Sequence, residues 1–201
     1  MDKLLSATTA PGHATREFLR MRFPKLSLLG WFAAMPLACA AGLIGDIPLP
    51  DIPDALRVPP GEEPLLLVKA QGVQVYECRA KKDDPTQYAW VFTGPEADLF
   101  DSKGGKVGRH YSGPTWELSD GSRVVGSVKA SVPSKDAGAV PWLLLSAKDH
   151  AGNGMLSRVT SIQRLDTSGG KAPAGGCSES DLGKQLRVPY TAVYCFYVPK
   201  A

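Results

Sequence analysis

Asparagine and histidine are scarce in this chain of 201 residues: there is one Asn, Asn153, and there are three His, His13, His110 and His150. Asn153 stands in Asn-Gly-Met, so the sequence has no N-glycosylation sequon. Two histidines beyond residue 40 cannot build a histidine-rich metal cage, and no C-x-x-C pair exists for zinc or redox work. Also missing are a G-x-S-x-G elbow, H-E-x-x-H, a P-loop and a G-x-G-x-x-G, which argues against nucleotide-dependent enzymes. Charge of one sign is lacking as well. Beyond residue 40 there are 18 basic and 18 acidic residues, so the clustered Lys/Arg that nucleic-acid binding requires are absent. No repeat of fixed period is present, which disfavours solenoids and propellers.

What the chain has in quantity is turn chemistry, 21 Gly and 17 Pro, set between short apolar runs. Its amino end reads as an export address. Arg16, Arg20, Arg22 and Lys25 precede the uncharged run from Leu26 to Gly45, and Ala38 and Ala40 satisfy the small-x-small rule. Residues 1–40 are therefore expected to be a signal peptide cleaved after Ala40, with Met21 an alternative start. Two other readings stay open: Cys39 as a lipidated cysteine, and the apolar run as an uncleaved anchor interrupted by Pro36. Membrane attachment is expected only in those two cases.

Residues 41–60, with Pro48, Pro50, Pro53, Pro59 and Pro60, read as an extended tether or edge and not as a core element. Residues 61–201 read as one all-β domain. Strands are expected near 64–70, 72–79, 87–93, 106–111, 114–118, 122–131, 140–147, 155–165 and 188–198. PEADLF at 95–100 is the one candidate helical turn, with Pro95 in its first position. In the last strand Val188, Tyr190, Ala192, Tyr194, Phe196 and Val198 alternate with Val193, Cys195 and Tyr197, so both faces are apolar and the strand should be buried on both sides. The 155–165 run interleaves Arg158, Ser161, Gln163 and Arg164 with apolar residues, as a half-exposed strand would. The fold class is thus all-β, a two-sheet sandwich or partly closed barrel of about eight or nine mostly antiparallel strands.

Three cysteines remain beyond residue 40. Cys195 lies in an apolar run, where a thiol behaves as a small hydrophobe. Cys78 closes a strand and Cys177 sits in a Gly-rich loop, so these two are expected to pair in an oxidising compartment. The loop so closed is about 100 residues, for which the chain-entropy model gives roughly 4.7 kcal/mol.

The segment from Gly108 to Ser122 is densest in special residues. His110 with Glu117 or Asp120 would make an acid/base pair or part of a mononuclear metal site, since a carboxylate fixes the imidazole tautomer. Set against this, a His and a Glu on neighbouring strands commonly make a structural hydrogen bond, and a Trp commonly fills a core. His110, Tyr111, Trp116 and Glu117 are the candidate ligand-binding residues. No catalytic residue is assigned, with His110, Glu117 and Asp120 as candidates, and no metal or stored cofactor is expected.

Taken in order, PPGEEPLLLVKAQGVQVYEC, YAWVFTGPEADLFD, GKVGRHYSGPTWELSDGSRVVG, VPWLLLSA, QRLDTSGGKAPAGGC and VPYTAVYCFY resemble the family called domain of unknown function 3455 over about residues 54–198. The resemblance implies an exported all-β protein of a kind found in bacteria and fungi, with no established activity. It implies the Cys78–Cys177 pair, and it marks Gly108, His110, Gly113, Pro114, Trp116 and Glu117 as the family's signature motif. Cys195 falls where the family more often has an aromatic residue. From the absence of catalytic patterns, the function expected is a periplasmic or secreted, monomeric, non-enzymatic module binding a small molecule, glycan or envelope partner. The alternatives are an extracellular hydrolase or lyase working through His110, and a purely structural envelope protein.

Overall fold

The computed structural model describes residues 49–201, so the predicted signal segment and the fate of Cys39 lie outside the described residues. Eight strands follow one another: β1 (Glu62–Ala80), β2 (Tyr88–Phe100), β3 (Lys106–Tyr111), β4 (Thr115–Leu118), β5 (Arg123–Val132), β6 (Trp142–Ala151), β7 (Ser161–Gly169) and β8 (Gln185–Pro199). Each pairs antiparallel with the next, and β8 pairs back onto β1 from Glu62↔Pro199 to Glu77↔Gln185. One continuous sheet therefore closes into a ring of hydrogen bonds. Of the two arrangements left open above, this is the single closed sheet and not a pair of stacked ones.

The inner face follows from the two-residue period. Val68, Leu99, Trp116, Leu145, Ile162 and Phe196 all point inward from different strands and form the main core. In β8 the buried run from Ala192 to Val198 confirms a strand covered on both faces. Cys195 is part of that run as a free buried thiol, and burial pushes its pKa up to about 11.

Several expectations need correction. The strands expected at 64–70 and 72–79 are one strand. Gly72, which reads as a break, lets β2 approach so closely that a Cβ there would collide with the backbone of Glu96 and Ala97. PEADLF is not a helical turn but the second half of β2. Ala97 and Leu99 point inward there, while Glu96 and Asp98 point outward to Arg187 and Lys106, a strand period that overrides the Pro95 signal. Residues 155–158 form a 3₁₀ turn ahead of β7.

The Pro-rich segment is not a mere tether. Leu56 is fully buried with Trp142, Leu144 and Leu165 on the outer face of β6 and β7, and Val58 reaches the cluster of Leu67, Val193 and Cys195. Burying Leu56 stabilises the fold by about 1.5–3 kcal/mol. The same cover explains why β7 is not half-exposed. Gln163 is buried because its Nε2 donates to the Leu56 carbonyl at 2.6 Å and its Oε1 accepts from the Tyr197 hydroxyl at 2.7 Å. Cys78 in β1 is bonded to Cys177 in the β7–β8 connection, closing a separation of 99 residues.

Candidate functional site

The hairpin of β3 and β4 decides which signature residues meet. His110 stands opposite Trp116 and Arg109 opposite Glu117. Because side chains alternate, His110 and Trp116 point into the ring while Arg109 and Glu117 point out. The two strands turn through Ser112, Gly113 and Pro114, with Gly113 at φ 141° and a cis Gly113–Pro114 peptide. Thr115 Oγ1 donates to the Ser112 carbonyl at 3.0 Å and holds this turn.

His110 Nδ1 lies 2.8 Å from the Thr115 carbonyl oxygen. A carbonyl only accepts, so the proton sits on Nδ1 and Nε2 presents a lone pair. Burial pushes the His110 pKa down to about 3, only partly offset by the Thr115 bond, and the ring is neutral at physiological pH. Its face stacks on Trp116, and Tyr194 meets both rings edge-on, with centroids 5.0 Å from His110 and 5.2 Å from Trp116. The Trp116 indole N–H and the Tyr194 hydroxyl are buried without a hydrogen-bond partner. Such orphaned donors in an otherwise well-packed core are uncommon.

Beside this aromatic cluster lies a cavity of about 460 Å³. His110, Trp116 and Tyr194 line it together with Leu143, Leu145 and Arg164. Phe92 and Val128, 50% and 54% exposed, line it too, and they are among the few large apolar side chains left open to solvent. Arg164 sits between Leu143 of β6 and Tyr194 of β8 in register. Its Nε and Nη2 donate to the Pro141 carbonyl at 3.0 and 2.8 Å. Its charge opposes protonation of His110 and partly offsets the burial that raises the Tyr194 phenol.

Glu117 and Tyr111 belong to a different surface. The Tyr111 hydroxyl donates to Glu117 Oε2 at 2.8 Å, and Arg109 Nη2 bonds both Glu117 oxygens at 3.1 Å while its guanidinium lies 5.1 Å from the Tyr111 ring centre. These bonds, that from Tyr111 first, hold the Glu117 carboxyl below its usual range. Asp120 is engaged elsewhere again. Its Oδ2 accepts from the Met155 amide at 2.7 Å and its Oδ1 from the amide and hydroxyl of Ser122, which lowers its pKa and ties the β4–β5 turn to the 155–158 turn. The structure thus joins His110 to Trp116 but pairs neither Glu117 nor Asp120 with His110. Among the described residues, no group of three His, Cys, Asp or Glu side chains is placed to hold a metal ion.

Phe92, Val128, Arg164 and Tyr194 are among the cavity residues that sequence reasoning does not single out. Arg164 lies two residues from Ile162, and that spacing puts it on the inner face once Ile162 is known to be core. The signal existed but needed the phase of the strand.

No curated protein and no solved structure matches the chain. The model of the family described as "Protein of unknown function (DUF3455)" matches residues 59–198, which takes in all of β1 to β7, nearly all of β8, the cavity and the disulfide. The chain belongs to that family.

Proposed function

We propose that this protein is an exported, non-enzymatic binding module that holds a small molecule in the cavity beside His110, Trp116 and Tyr194. The observation that carries the reading is the cavity itself. Its volume is in the range of small-molecule sites, its walls are mainly apolar and aromatic, and its polar groups are few. Phe92 and Val128 supply apolar surface that a bound molecule would cover. A neutral His110 with no carboxylate beside it supports binding over general-base chemistry, because a base needs a partner to stabilise the imidazolium. Export is supported by the disulfide, which persists in oxidising compartments. No helix among the described residues is long and apolar enough to cross a membrane.

The test is native mass spectrometry of the protein purified gently from its own host, with the denatured mass measured beside it. An extra mass in the native spectrum, lost in Trp116→Ala and kept in Glu117→Gln, is the expected result. A bare chain in every preparation, or loss of the adduct in Glu117→Gln alone, would overturn the cavity as the binding site.

A further inference from the structure

Arg164 is the one charged residue among those lining the cavity. It is half-buried and takes part in none of the ion pairs among the described residues, all of which involve other arginines and lysines. The Pro141 carbonyl accepts from both Nε and Nη2, which fixes the guanidinium plane beside Tyr194. A cation taken partly out of water against Leu143, Leu145 and Tyr194 lacks the counter-charge that ordinarily accompanies it. The neighbouring imidazole is neutral and adds no second positive charge. Four rings, those of Phe92, His110, Trp116 and Tyr194, stand among the remaining, mostly apolar walls.

We propose that the cavity selects a small aromatic monocarboxylic acid, whose carboxylate meets Arg164 and whose ring lies against Trp116, Tyr194 and Phe92. The inference rests on the reading of the cavity as a ligand site and adds the charge and shape of the ligand. A guanidinium fork matches a carboxylate better than any neutral polar group of the same size. A single uncompensated charge matches a monoanion and not a dicarboxylate or a phosphate monoester.

The experiment is calorimetric titration of the exported, disulfide-bonded protein with cinnamate and with cinnamamide, two probes of nearly equal shape that differ in charge. Cinnamate should bind at least about tenfold more tightly, as a charge-assisted bond replaces a neutral one. Arg164→Gln should erase that preference while cinnamamide binding is retained, and Arg164→Lys should keep part of it. Should Arg164→Gln fail to fold, the wild-type pair and the Lys variant still decide. Equal binding of the two probes by the wild-type protein, or a preference that survives in Arg164→Gln, overturns the acid inference while leaving the cavity as a ligand site. Binding of neither probe, together with a bare native mass, overturns both.

Discussion

The imidazole of His110 lies flat on the indole of Trp116, with ring centroids 4.5 Å apart and planes 10° from parallel. The two residues face each other across β3 and β4, so the contact is a cross-strand pair brought to the inner face by the register of a short hairpin. The carbonyl that orients the imidazole belongs to Thr115, the residue before Trp116. One four-residue strand thus supplies both the stacking surface and the hydrogen-bond acceptor.

Acid should act on the fold through His110. In the unfolded chain His110 takes up a proton near its ordinary value of about 6.5, whereas the folded ring resists protonation until about 3. Protons therefore favour the unfolded state across that window. Stability from the neutral, buried ring is fully present above about pH 6.5 and falls as pH drops, by roughly 1.4 kcal/mol per unit. Urea denaturation at about pH 7 and pH 5 should show a wild-type loss that His110→Phe, which cannot titrate, does not share. Equal slopes in the two proteins would place the imidazole in contact with water.

Gly126 makes room for the same indole. A Cβ there would stand 2.9 Å from Trp116 Cζ3 and 3.2 Å from Leu145 Cδ2. Gly126→Val should destabilise the protein by about 1–3 kcal/mol through overpacking. It should also weaken ligand binding by displacing Trp116. A variant as stable as wild type in urea would mean that the indole has space to retreat.

Leu56→Ala should cost about 2–5 kcal/mol, the range for emptying a buried leucine site. The loss should come without any change in cavity binding, because Leu56 packs on the outer face of the sheet. Thermal unfolding and probe titration of the same sample separate the two effects.

Replacing Cys78 and Cys177 together by Ala should lower stability by about 2–5 kcal/mol, since the bridge constrains a long stretch of the unfolded chain. The buried Cys195 thiol should stay unreactive to alkylating reagents in the native bridged protein and become reactive only on unfolding. Rapid labelling of the native state at Cys195 would contradict the packing of β8.

How far the sequence carried these conclusions depended on whether a signal was local. The two apolar faces of β8 were legible from alternation alone, and so was the strand containing His110. The Cys78–Cys177 pair followed from where each cysteine sat. Gln163 reads as a surface residue because a buried amide looks like an exposed one until its partners, Leu56 and Tyr197, are brought in from 107 and 34 residues away. Glu117 reads as a partner of His110 because a tight bend sets them on neighbouring strands, but the register sends them to opposite faces. Arg164 was hidden for the converse reason. An Arg among the polar residues of such a run reads as solvent-facing until Ile162, two residues away, is known to lie in the core.

The pairing of β8 with β1 also bears on how these molecules behave toward one another. An open sheet ends in a row of unpaired amides and carbonyls, which another chain can extend into an aggregate. Here the row that β1 would otherwise present is taken by β8, and the Lys200 amide still bonds to the Gly61 carbonyl where the strands run out. At that seam the described residues leave a neighbour little backbone, whereas β2 and β5 run on past their pairing with β3 and β4. Among the described residues, Phe92 and Val128 are two exposed apolar side chains that share one cavity, so crowding should bring molecules together there, and an occupied cavity should keep them apart.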